Sequence, residues 1–334
     1  MVFIFDRRGS VKVAFVGKGG SGKTTLSSLF VRHLAVRGHQ VVAIDADINQ
    51  HLATALGLDE DQVAAVPAMG DHLTELKDYL RGDNPRIASA ETMVKTTPPG
   101  RGSRLLRVNG DDPFHTKLGT EVQVGAGAAR GNITLMATGP FTEDDLGVSC
   151  YHSKTGAVEL YLNHLVDRPG EYVVVDMTAG ADTFASGLFT RFDLLVLVAE
   201  PTWKGVGVYR QYVEYAADYD VAITVVGNKV HGEDDVAYLS RHVGGDLLTW
   251  MEHSAAVRAL EQGRGDAALE DLDQAALARL LEAVDARPKD WARFHRQAVE
   301  FHVKNARSWA NRAVGADLEA QVDPVFTAEA YRHG

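Results

Sequence analysis

The segment Gly17 to Thr25, GKGGSGKTT, follows an apolar run at Val11 to Val16 and opens a helix-like stretch from Thr24 to Arg37. It matches G-x-x-x-x-G-K-S/T between a strand and a helix, the context in which that pattern carries meaning. Glycines there let backbone N–H groups turn inward around phosphate oxygens, and the helix N-terminus adds its positive end. Gly17, Gly19, Gly20, Ser21, Gly22, Lys23, Thr24 and Thr25 are the expected phosphate cradle. Lys23 is expected to reach the β- and γ-phosphates, and the Thr24 hydroxyl to bind Mg²⁺.

The rest of the chain repeats this alternation. Strand-length apolar runs recur at Val41 to Ile44, Ile133 to Met136, Tyr172 to Val175, Leu194 to Val198, Val221 to Val226 and Leu247 to Trp250. Most are apolar on both faces, as strands of a parallel sheet covered by helices are. The pattern predicts an α/β fold, a doubly wound, mostly parallel sheet of about seven strands. Gly38 is the expected cap of the first helix. Residues 58–132 break the rhythm and read as an insertion, with a helix near His72 to Leu80 and a Gly/Ala tract at Gly125 to Gly131. Beyond Gly265 the strand signals stop, which divides the chain into a nucleotide domain, 1–264, and a helical extension, 265–334.

Composition narrows the function classes. The one cysteine in 334 residues forms no internal disulfide, which suits a reducing cytosol and predicts a cytoplasmic protein. A formal charge of −11 argues against broad, non-specific nucleic-acid binding. Apolar runs such as Leu194 to Val198 fall far short of the ~20 residues of a membrane span. Met1 to Arg8 carries its charges after its apolar residues, opposite to a secretory signal.

Lys18 adds a second constraint. With it, KGGSGKTT resembles the deviant Walker A group of P-loop ATPases, the MinD/ParA-type or SIMIBI class. In that group such a lysine reaches across a nucleotide-bridged homodimer to the phosphates of the second copy. A cation supplied in trans offsets charge on the transferring phosphoryl group. The resemblance implies slow, Mg²⁺-dependent ATP hydrolysis coupled to dimerisation. It implies that Asp45, in AIDADINQHL, lies near the Mg²⁺ shell and that Asp47 orients the attacking water. In VVVDMTAGAD, Asp176 would hold Mg²⁺ through water, and Gly180 would turn its backbone toward the γ-phosphate. VVGNKVHG supplies Asn228-Lys229 but has His231 where a guanine-reading carboxylate would stand, so ATP is favoured over GTP.

Further segments resemble the CooC-like nickel-insertion accessory ATPases of carbon monoxide dehydrogenase, over roughly Val11 to Gly265. DPFHTKLGTEV resembles an insert of that family, LMATGPF the strand before its metal loop, and AEPT a segment after the next strand. SCYHSKTGAVELYLNHLVD is similar to its C-x-C loop and following helix, with His152 in place of the second cysteine. The resemblance implies that Cys150 and His152 meet the same pair of a second copy and hold one transition metal, Zn²⁺ or Ni²⁺. An extended turn would point residues i and i+2 the same way. The plainer alternative is a small buried cysteine, with His152 near the start of a helix running from about Thr155 to Val166. An iron–sulfur donor needs two cysteines per subunit and is excluded.

Three roles stay open: metal insertion into an unknown metalloenzyme client, a positioning or partition ATPase, and a metal-free switch gating a protein partner. The segment Arg287 to Arg312 bears on the choice. It is basic, and Trp291, Phe294, Ala298 and Phe301 form an apolar stripe at helical spacing. Such a stripe packs on its own domain or meets an anionic membrane; packing or dimer contact is the reading favoured here, and membrane binding is not expected.

Overall fold

The structure, a computed structural model, describes residues 10–109, 112–125, 130–140, 151–261 and 273–333. Ten strands are named in chain order. They are β1 Val11–Gly17, β2 Gln40–Ala46, β3 Leu106–Arg107, β4 Thr120–Val124 and β5 Gly131–Ala137, followed by β6 Leu165–Val166, β7 Glu171–Met177, β8 Leu194–Ala199, β9 Ile223–Val230 and β10 Leu247–Glu252. Eight form one sheet in the order β10-β9-β8-β1-β7-β2-β5-β4, and β3 pairs with β6 apart from it. All neighbours in the large sheet run parallel except β4 and β5. The eighth strand is the antiparallel edge β4, which comes from residues 58–132. Its TEVQV alternates exposed and buried positions, as an edge covered on one face does.

Central β1 and β7 are buried along their whole length and feed two cores. Val13 and Phe15 face the helices Lys23–Ala35 and Gln274–Asp285, packing with Leu26, Leu29, Leu277 and Leu280. Ala14 and Val16 face the opposite layer, where Leu76, Val158, Leu162, Val206 and Leu239 come from four further helices. The sheet is doubly wound. The first helix ends at Ala35, and Gly38, at φ 80, closes the turn with its N–H on the Ala35 carbonyl at 2.9 Å.

The C-terminal helices secure the end of the sheet opposite the P-loop. Trp291, Phe294, Ala298 and Phe301 are all buried on this chain, so the apolar stripe is taken up by intramolecular packing. Lys12, on β1, is buried beneath them with its Nζ 4.7 Å and 4.4 Å from the ring centroids of Trp291 and Phe294. Its ammonium donates to the Leu165 carbonyl at 2.6 Å and lies 3.0 Å from Asp167. Lys289 joins Asp167 to Asp193, 2.5 Å from each. Burial pulls the Lys12 ammonium down to about 8, with Asp167 pulling the other way. Among the described residues no helix is long and apolar enough to cross a membrane.

Candidate active site

β1 ends at Gly17, and the turn that follows needs glycine at two places. At Gly17 (φ 147) a Cβ would lie 2.5 Å from the Val198 carbonyl oxygen; at Gly22 (φ 93) it would lie 2.2 Å from Asn228 Nδ2. The helix that starts at Lys23 has no side-chain cap on its N-terminus and no acidic residue in its first turn. A helix N-terminus of this kind presents its positive end to an anion. Lys23 itself is buried at this point.

Three carboxylates converge on the same end of the sheet. Asp176 of β7 stands in register with Phe15 of β1 and Asp45 of β2. The Thr24 hydroxyl donates to Asp176 Oδ2 at 2.5 Å, while Asp176 Oδ1 is buried without a hydrogen-bond partner among the described residues. Burial pushes the Asp176 carboxyl up to about 7, against the Thr24 hydroxyl and Lys23 and with help from the Asp47 charge. Asp45 is held well above the usual carboxylate range by burial and then by Asp176. Its oxygens accept the Asp47 N–H at 3.1 Å and the Leu52 N–H at 2.8 Å, which fixes the loop after β2. Asp47 in turn accepts from the Asn49 backbone and side chain, both at 2.9 Å. The Thr24 hydroxyl and the orphan oxygen of Asp176 are oxygen donors of the kind a hard divalent cation such as Mg²⁺ takes.

Asn228 and Lys229 lie within β9, which runs on to Val230. The Asn228 amide donates to the Ser21 carbonyl at 2.7 Å, which assigns its NH₂ end to the back of the P-loop. A cavity of about 460 Å³ opens beside it, lined by Thr25, Lys229, Met251, His253 and Arg258 among others. Two contacts were not anticipated from the sequence. Glu200, at the end of β8, accepts Lys18 at 2.9 Å and Lys229 at 3.0 Å. The Tyr212 hydroxyl lies 2.8 Å from the Gly180 carbonyl and 2.9 Å from the Thr183 hydroxyl, tying down the segment after Asp176. An acid at the end of the strand beside β1 is the one signal that pointed to Glu200; nothing in the sequence marks Tyr212.

Cys150 lies outside the described residues. His152 falls in a helix that spans Tyr151–His164, so the chain is already helical where an extended turn was expected, and the helix begins before Thr155. It gives way at Leu165, because Leu165–Val166 pairs with Leu106–Arg107. Residues i and i+2 of a helix diverge, so an extended-turn geometry does not apply from Tyr151 onward. Among the described residues, no group of three or more His, Cys, Asp or Glu side chains is arranged to hold a metal ion.

A doubly wound sheet with a glycine-rich phosphate turn at the end of its central strand defines a P-loop nucleotide-binding protein. Residues 13–282 match the family described as CobQ/CobB/MinD/ParA nucleotide binding domain, and the chain belongs to that family. It is 28% identical over 281 residues to the carbon monoxide dehydrogenase accessory protein CooC of Rhodospirillum rubrum, covering 82% of this chain and 97% of that one. It is 30% identical over 226 residues to an uncharacterized ATP-binding protein of Methanocaldococcus jannaschii, 67% of this chain and 77% of the relative. In fold it is similar to a single-substitution variant of Cyanothece McdA in complex with ATP, with a TM-score of 0.51 and 16% identity over 82% of this chain and 94% of that one. It is also similar to a ParA family ATPase of Chlorobium tepidum, with a TM-score of 0.50 and 13% identity over 87% of this chain and 97% of that one.

Proposed function

We propose that this protein is a Mg²⁺-dependent ATPase whose ATP-bound form is a homodimer, acting as a maturation switch for a metalloenzyme client in the cytoplasm. The observation that carries the ATPase reading is the Thr24–Asp176 pair, with its orphan carboxylate oxygen beside an uncapped helix N-terminus. Gly17 to Thr25 would wrap the phosphates, and Lys23 would offset their charge. Mg²⁺, when bound, would be held by Thr24 and Asp176, with Asp45 behind them, and would neutralise charge on the β- and γ-phosphates. Asp47 would orient the attacking water. Lys18 would act on the nucleotide of a second copy. Asn228 supports adenine as the base. With its NH₂ on Ser21, the amide oxygen remains to accept from adenine N6–H, whereas guanine O6 would repel it.

The maturation role is supported by the CooC relative, whose whole length this chain nearly spans. On this reading Cys150 and His152 from two protomers would bind one Zn²⁺ or Ni²⁺, the metal to be delivered. The experiment joins mass in solution to metal content, with and without ATP. Lys23→Ala is expected to lose nucleotide binding. Lys18→Ala should keep binding and lose the dimer or its hydrolysis. Equilibrium dialysis should find one ion per dimer in the wild type and none in Cys150→Ser or His152→Ala. Equal metal in all three would take Cys150 and His152 out of any metal site.

A further inference from the structure

Glu200 follows Ala199 at the end of β8, and β8 lies directly beside β1. This register brings the acid to the mouth of the P-loop, although 182 residues separate it from Lys18. Its two oxygens are divided: Oε2 holds Lys18 at 2.9 Å, and Oε1 holds Lys229 at 3.0 Å. Lys229 is fixed a second time by donating to the Gly20 carbonyl at 2.6 Å. Its backbone sits at φ 57, a left-handed conformation that a residue with a Cβ rarely adopts. Partial burial would raise the pKa of Glu200, but the two lysines outweigh it and hold the group below the usual carboxylate range.

In the single protomer the Lys18 ammonium is thus committed within its own chain. A lysine that serves a second copy must first leave this carboxylate. Its departure strands no charge, because Lys229 stays on Glu200. We infer that Glu200 is a positioning residue: it parks Lys18 in the free protomer and surrenders it to the triphosphate when two copies close, with Lys229 as the standing counter-charge. This rests on the trans-acting reading of Lys18 given above.

The parked pair is partly exposed, Lys18 by 32% and Glu200 by 17%, so each is a modest interaction, yet closure breaks two of them. Glu200→Gln should therefore tighten the Mg²⁺–AMP-PNP dimer by roughly fivefold to tenfold in sedimentation equilibrium. Lys229→Met should weaken it, since Glu200 would be left unpaired once Lys18 departs. In a Lys18→Ala background, Glu200→Gln should change nothing further. A purely structural Glu200 gives the opposite sign, a looser P-loop and a weaker dimer in Glu200→Gln. A weaker or unchanged Glu200→Gln dimer overturns the parking role, as does a Lys229→Met dimer of wild-type strength. Should Glu200→Gln fail to fold, the Lys229→Met result decides alone. If Lys18→Ala by itself both dimerises and hydrolyses ATP normally, the trans-acting reading fails, and that outcome is separate from either result at Glu200.

Discussion

Thr24 donates its hydroxyl proton to Asp176 across 2.5 Å, joining the first turn of the P-loop helix to the end of β7. A hydroxyl used as a donor here must turn to offer a lone pair to a cation. Thr24→Ala should keep the affinity for ATP measured in EDTA but lose the increment that Mg²⁺ adds. Its hydrolysis should fall about a hundredfold. Titration of a fluorescent ATP analogue with and without Mg²⁺ checks this; an intact Mg²⁺ increment would remove Thr24 from the cation's shell.

Asp47 is buried, and the Asn49 contacts hold it in one orientation. Asp47→Asn should lower kcat by about a hundredfold or more while changing KM little, so that the ATP-bound dimer accumulates. Single-turnover hydrolysis beside mass in solution reads both effects. Normal turnover would move water activation to another group.

Asp167 counter-charges Lys12 and Lys289 in a place closed to solvent. Asp167→Asn leaves both ammonium groups short of a partner and should cost about 3 kcal/mol or more in chemical denaturation. Lys12→Met should cost less, because Lys289 still pairs with Asp167 and the thioether fits between Trp291 and Phe294. Equal losses would mean that packing, and not charge, sets the stability here.

Glu159 sits fully buried on the helix Tyr151–His164, near enough that a Cβ on Gly187 would meet its Oε1 at 2.6 Å. Burial lifts its carboxyl from 4.5 to about 7, against the pull of Lys95 and Arg191. A carboxyl whose folded pKa is raised binds more protons folded than unfolded between those two values. Its contribution is complete below pH 4.5 and is lost as pH rises through about 7. Glu159→Gln should therefore flatten this part of the stability–pH curve and gain on the order of 2–3 kcal/mol over the wild type at pH 8. Parallel curves for the two proteins would show that the group is ionised throughout.

The phosphate turn and the parallel sheet were legible because each rests on local pattern. Glycines next to Lys23 state the turn, and runs apolar on both faces, such as LLVLV in β8, state buried strands. β4 was harder. Its TEVQV alternates and lies in a stretch rich in turn residues, so only pairing with β5 identifies it as a strand. Lys12 gave no warning of its burial, since the aromatic lid over it arrives from Trp291 and Phe294, far along the chain. The orientation of Asn228, set by its amide hydrogen on the Ser21 carbonyl, emerges only from the fold. Glu200 depended on the adjacency of β8 and β1, which no spacing in the sequence encodes.

The helix Trp203–Ala216 begins three residues after Glu200 and carries Tyr212 near its far end. Over its 14 residues it spans about 21 Å as one stiff rod. One end of that rod abuts the acid holding Lys18, and the other grips Gly180 and Thr183 through the Tyr212 hydroxyl. On the parking reading of Glu200, this rod would act as a yoke between the two segments, so that freeing one would load the other. Trp203, 67% exposed at the yoke's leading end, makes the coupling visible. Its intrinsic fluorescence should change when Lys18 is released, and Tyr212→Phe should uncouple that change from the movement at Gly180.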